Sequence, residues 1–279
     1  MAVCVVTDST ADLTPAERER WGVDVVPLTV FFGEEALLDG VQVTSEEFFA
    51  RLPQANPLPR TSQPTAAQFV EVYRRLLDAG HEVVSVHISS RLSGTLNSAR
   101  AAVETLTAQD RVTLVDSLSV TAGLALAVQA AAKAAAAGCA RRDTADAARN
   151  ALQREHVQIV VDTLEYLRRG GRIGRARSLL GGLLAIKPII TLHDGEVAPL
   201  ERVRTRPRAI ERLFELASRY QNAAAIRIIH SALPQEAQRL ADRLAVVLPK
   251  AEISVTWIGP VVGVYTGPGS LGAVVLTAP

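Results

Sequence analysis

The stretch HEVVSVHISSRLSGTLNSAR, residues 81–100, passes from strand to helix across a single loop. VVSVHI (83–88) is a short, β-branched apolar run, the mark of a buried strand. Residues 95–107 carry helical spacing instead. The loop between them crowds Ser89, Ser90, Ser93, Thr95 and Ser98 around Gly94. Such hydroxyls at a helix start suit a nucleophile, a phosphate cradle, a carboxylate clamp or an ordinary helix cap.

The same strand–loop–helix unit recurs on both sides of this stretch. AVCVV (2–6) predicts a strand, and Thr14 followed by Pro15 opens a helix. VDVVPLTVFF (23–32) predicts one further strand, and GEEALLDG (33–40) a hairpin-like excursion. Thr44 and Glu47 form a capping box before FFARL. Residues 65–79 have the pattern of an amphipathic helix, RVTLVDS (111–117) that of a strand, and 121–137 and 143–154 that of helices. Alternating β and α units predict a parallel, doubly wound sheet. After residue 155 the pattern changes. VQIVVDT (157–163) predicts a strand, and PIITLHDGEVAPLERV (188–203) a hairpin about Asp194-Gly195. A helix over 206–220, a strand in AAIRIIHS (224–231), a helix over 234–247 and a strand in ISVTWIG (253–259) follow. The expected fold is therefore α/β with two domains, residues 1–155 around a parallel sheet and 156–279 around a mixed one.

With 279 residues, 48% apolar and 21% charged, the chain is long enough for a sizeable core and an enclosed ligand. A formal charge of +1 provides no global field for nucleic acid or an anionic membrane surface. Cys4 and Cys139 make no metal or disulfide pattern, and no signal peptide or uninterrupted apolar span is apparent. A soluble, cytoplasmic protein without a stable membrane segment is expected.

Four polar loops are candidates for one site at the sheet's carboxyl edge: Asp8–Thr10, Thr61-Ser62, Ser90–Thr95 and Asp116-Ser117. Each alone is ordinarily a cap; together they suit a small anion, with Gly94 allowing close approach. No G-x-x-x-x-G-K-[ST] and no G-x-S-x-G is present, and no sequence neighbour activates Ser93. The five histidines have no ligand spacing, and Asp8, Asp116 and Asp162 alone make a weak metal set, so neither metal nor cofactor is expected. Arg168, Arg169, Arg172, Arg175 and Arg177, around three glycines, suit either surface ion pairs or an anion or partner dock. Aromatic content of 4% leaves little stacking surface for nucleic acid. LLGGLLAI (179–186), with Gly181 and Gly182 leaving room, and AIRIIHSA (225–232) suit a tunnel wall, though plain core is the favoured reading. TGPGSLG (266–272) suits a ligand-facing turn or a bend. A phosphotransfer or phosphatase-type enzyme using Asp8 or Asp116 with a metal is the alternative from another class.

TDSTADL, TSQPT, SSRLSGT, DTLEYLRRGGRIG, LLAIKPI, DGEV and GPVVGVYTGPGSLG, in this order from residue 7 to 272, resemble the DegV family of bacterial fatty-acid-binding proteins. The resemblance implies a two-domain, non-catalytic protein that holds one long-chain fatty acid, such as palmitate, in a buried tunnel. It implies that Thr61 and Ser93 bond the carboxyl group, with Ser62, Gly94, Thr95 and Tyr265 around it. It further implies that a separate ATP-dependent kinase subunit phosphorylates the bound acid, with Arg169, Arg172 and Arg175 as its dock. Kinase-linked members commonly carry histidine where this chain has Tyr265, which donates a hydrogen bond but no charge. His230 is the histidine left to substitute for it.

Overall fold

The computed structural model describes residues 2–180 and 186–279. Its first sheet is wholly parallel, with order β2-β1-β6-β7: β1 (Val3–Asp8), β2 (Val23–Val26), β6 (Glu82–His87) and β7 (Val112–Asp116). Helices cover both faces because alternate residues along each strand point oppositely. Val6 and Val83 pack on α3 (Ala66–Asp78) and α4 (Thr95–Thr105). Val5 and Val84 pack on the alanine-rich α5 (Ala122–Ala136), which α6 (Arg141–Leu152) flanks.

Residues 23–32 do not make one strand. Pro27 lacks the N–H a ladder needs, and the Leu28 N–H donates to Ser9 Oγ at 3.0 Å instead. The chain then leaves the parallel sheet to build a small antiparallel one, β4-β3-β5: β3 (Thr29–Phe32), β4 (Glu35–Leu38) and β5 (Arg60–Ser62). Capping boxes at Thr14/Glu17, Thr44/Glu47 and Thr65/Gln68 start α1 (Pro15–Trp21), α2 (Ser45–Arg51) and α3.

The remaining strands form one mixed sheet, β10-β9-β8-β13-β11-β12: β8 (Glu155–Val160), β9 (Lys187–His193), β10 (Glu196–Val203), β11 (Ala223–His230), β12 (Glu252–Trp257) and β13 (Leu271–Thr277). Only β11 and β12 run parallel. Asp194 and Gly195, at φ 51° and 78°, make the β9–β10 turn, a conformation that favours Asp-Gly. Helices α8 (Arg206–Ser218) and α9 (Pro234–Val247) cover the outer face; α7 (Glu165–Arg169) and α10 (Pro260–Thr266) lie in connections. No helix among the described residues is long and apolar enough to cross a membrane.

One apolar cluster runs from Val5 and Val84 through α5 to Ile159, Ile190 and Val274, so the two large sheets share a core. Polar groups also cross this junction. Arg227 of β11, only 4% exposed, donates to Glu17 of α1 at 2.8 Å. Asp12 and Asp39 are buried near Gly259, the cap of α10. The Thr121 hydroxyl lies beside Asp12 outside hydrogen-bond geometry, leaving both Asp12 oxygens unpaired. Burial therefore dominates, pushing Asp12 up to about 8 and Asp39 up to about 7, with Arg18 only partly offsetting the rise at Asp39.

These two carboxyls retain protons that the unfolded chain has released by pH 5, so folding should weaken as pH rises from about 5 to 8. Each pH unit across that window removes on the order of 1 kcal/mol per carboxyl. Urea denaturation across this range should reveal the slope, and Asp12→Asn should flatten it and stabilise the protein at pH 8.

Candidate ligand-binding cavity

A cavity of about 320 Å³ lies where the two large sheets face each other. Leu28, Ile88, Val120, Ile159, Ile190 and Leu192 give it an aliphatic wall. Its polar groups come chiefly from Thr61, Ser62, Gln63, Ser93, Arg172 and Tyr265.

Thr61 and Ser93 thus face one cavity, although they arrive by different routes. Thr61 sits on β5 of the small sheet, opposite Val30, and not at an edge of the doubly wound sheet as its loop suggested. Its Oγ1 lies 2.6 Å from the Tyr265 hydroxyl, a bond spanning 204 positions. Ser93 stands just before α4, where its Oγ accepts the Thr95 N–H at 3.3 Å and meets Thr95 Oγ1 at 2.9 Å. Thr95 is fully buried behind it, and neither Thr95 nor Gly94 is among the cavity walls. A side chain at Gly94 would collide with the Gln63 amide, so this glycine makes room for Gln63 and not for a ligand.

The arginine-rich segment divides by partner. Arg168 and Arg169 pair with Glu165, and Arg175 with Asp194, all at the surface. Arg172 behaves differently: it donates to the Leu92 and Gly170 carbonyls at 3.3 and 2.8 Å and lies 5.0 Å over the Tyr265 ring. Together with Arg60 and Arg169 it borders an open groove beside Thr61 and Tyr265.

Other sequence candidates do not reach the cavity. Asp8 is sealed beneath the first sheet's edge, accepting from Thr10, Ile88 N–H and His87 Nδ1. Tyr73 in turn donates to Ser85 at 2.8 Å, and Ser85 to His87 Nε2 at 2.7 Å. This serine–histidine–aspartate relay has no exposed atom to offer a substrate, with Ser85, His87 and Asp8 all 0% exposed. Asp116 accepts from the Ser90 and Leu118 N–H groups. Among the described residues no three His, Cys, Asp or Glu side chains converge as a metal site. Burial lowers the His230 pKa; the ring packs on Trp257 and accepts from the Leu233 N–H, and His230 is not among the cavity walls. Most of AIRIIHSA is β11 core; of TGPGSLG, Thr266 at the end of α10 does join the cavity wall, whereas Gly267 packs on Tyr166 and Leu271 opens β13; Gly181 and Gly182 fall outside the described residues.

Sequence reasoning missed Gln63, which stands inside TSQPT, and, although it named Tyr265, the helix α10 that carries it. Gly259 followed by Pro260 is a helix-start signal that could have found α10. The helix supplies Val261, Val262, Tyr265 and Thr266 to the cavity wall.

A signature described as "Uncharacterised protein, DegV family" matches residues 2–278. The chain belongs to the DegV family. A DegV domain-containing protein of Streptomyces coelicolor is 41% identical over 277 residues, 98% of each chain. A fatty-acid-binding DegV family protein of Thermus thermophilus superposes with a TM-score of 0.92 at 34% identity, covering both chains fully. Bacillus subtilis DegV, a fatty acid binding protein, superposes at 0.91 with 30% identity, also over both whole chains.

In this DegV family chain Gly170 is the glycine on which the polar wall depends. A Cβ there would collide with the Tyr265 ring and press on the Tyr166 carbonyl. Gly170→Ala should therefore lower unfolding free energy by about 1–3 kcal/mol, the usual cost of overpacking, and Gly170→Ala with Tyr265→Ala should recover part of it in denaturant titrations.

Proposed function

We propose that this protein binds one long-chain fatty acid in the cavity, with the carboxyl group held by Thr61 and Ser93. The observation that carries this reading is the juxtaposition of a few hydroxyl donors with an otherwise aliphatic wall. Ser93 Oγ accepts the Thr95 N–H and shares a bond with Thr95 Oγ1; when Thr95 is the donor of that shared bond, the Ser93 hydroxyl proton is left for a ligand. Tyr265 bonds Thr61 and orients it, with Ser62 alongside. Gly94 and Thr95 act from behind by shaping the start of α4. Relatives support the ligand class: the two DegV proteins above bind fatty acid, and a Eubacterium ventriosum protein at 26% identity and TM-score 0.89 binds stearic acid.

Energetics assign the two ends different tasks. Burying about fourteen methylenes, as in palmitate, yields on the order of 11 kcal/mol before entropy costs. A hydroxyl bond to a carboxylate contributes about 1–3 kcal/mol. The tail therefore supplies affinity and the hydroxyls supply orientation. Residues 1–155 and 156–279 act as two domains that close on the acyl chain from either side.

The same reading assigns a separate ATP-dependent kinase subunit to the cationic face of Arg169, Arg172 and Arg175, beside the carboxyl end, in the cytoplasm. The chain itself is the acyl-presenting, non-catalytic partner; the carboxylate oxygen takes the γ-phosphoryl group of ATP bound to the kinase, and ADP leaves.

Denaturing mass spectrometry of folded protein purified from bacteria should reveal a stoichiometric long-chain acid. Absence of one, with no uptake on direct titration, defeats the proposal. Thr61→Ala with Ser93→Ala should weaken the acid's binding by roughly 2–5 kcal/mol, and unchanged affinity defeats the hydroxyl assignment. With kinase present, Arg169→Ala should slow acyl phosphate formation while leaving bound lipid unchanged.

A further inference from the structure

We propose that Leu192, with Thr191 beside it, is the partition that sets the longest acyl chain the cavity accepts; the inference rests on the fatty-acid reading above. A second pocket, an open groove of about 490 Å³, shares only Thr191 and Leu192 with the first. The two lie on opposite sides of a split in the mixed sheet. The β8–β9 ladder holds at Ile159↔Ile190 and Val160↔Ile189, with the Val161 N–H donating to the Pro188 carbonyl beyond them, and toward Glu155 the strands part.

The split has a local cause. Ser89 Oγ donates to the Gly195 carbonyl at 2.7 Å, a buried bond that ties the β9–β10 turn to the loop after β6. Gly195 packs against Ser89 and Leu118 with no room for a Cβ, so the turn cannot swing back to β8 without losing this contact. Arg175 holds the same turn through Asp194 at 3.1 Å. The hairpin thus leans onto the parallel-sheet half and leaves β8 bare behind it.

Chemistry changes across the partition. On one side Val120, Ile159, Ile190 and Val197 surround the acyl space. On the other stand Asp116, Glu155, His156, Gln158 and Tyr220. Gln158 Oε1 and Glu155 Oε2 are buried there without donors. A methylene carried past Leu192 leaves a dry wall for polar groups and gains little from burial. Affinity therefore stops rising with chain length at this side chain.

The test is the dissociation constant of the full chain for saturated acids from lauric to behenic. For the wild type the series should reach a maximum and then level or fall. Leu192→Ala yields the volume of its own side chain, on the aliphatic side, to the acyl tail and should move the maximum to longer acids, raising the preference for behenic over palmitic acid about tenfold, the value of roughly two methylenes. Leu192→Phe narrows the same space and should move the maximum to shorter acids. A general packing defect weakens all chains alike and shifts no maximum, so unchanged maxima in both variants overturn the proposal. Failure of the wild type to bind any acid of the series overturns the fatty-acid reading itself.

Discussion

The hydrogen bond between Thr61 and Tyr265 is the contact around which the cavity is organised. Two sheets that turn apolar faces toward each other ordinarily collapse into a single dry core, and much of this junction has done so. At the mouth, closure is limited by groups that cannot be buried without partners. Thr61 arrives on the small antiparallel sheet and Tyr265 on α10, and each satisfies the other at 2.6 Å. Both supports are tightly fixed: Gly263 of α10 lies against Phe48 and Phe49, and Gly170 lies under the Tyr265 ring. The hydroxyl pair is therefore held by close backbone approach, and a polar edge persists beside an apolar space.

The crowd of hydroxyls after β6 separates in the structure into distinct jobs. Ser89 ties down the β9–β10 turn, Ser90 leans on Asp116 through its backbone, and Ser98 accepts from Gln63. Ser93 alone of these joins the cavity wall. A nucleophile needs a base within reach, and the histidine of that strand is committed to Asp8 and Ser85 inside the core. The chemistry open to Ser93 is thus hydrogen bonding.

The α/β alternation, the Asp194-Gly195 hairpin and the α9 limits were legible in the sequence because each depends on local periodicity or turn chemistry. The break at Pro27 was also legible in principle, since proline cannot fill a central ladder position. The cavity walls were not. Ile159 and Ile190 look like any core residue along the chain, and what makes them line a space is the hairpin's lean onto Ser89, a contact across 106 positions. Gly94 misled for a related reason: its need for space comes from Gln63, whose position depends on tertiary packing. Asp12 and Asp39 carried no sequence signal at all, because loop carboxyls are exposed by default.

On the proposed reading the head of the acid is held by neutral hydroxyls, with Arg172 beside them. At its exposed position Arg172 gives Nε–H and one Nη1–H to backbone carbonyls and lies over the Tyr265 ring. A carboxylate locked against a buried guanidinium would form an ion pair whose desolvation is costly and whose breakage leaves a bare charge. Hydroxyls hold the same group with less energy and leave no buried charge when it departs. On the proposed reading that suits a protein that must give its ligand up: the tail supplies the affinity, the wall selects the chain, and the head is held only firmly enough to face the groove bordered by Arg60 and Arg169.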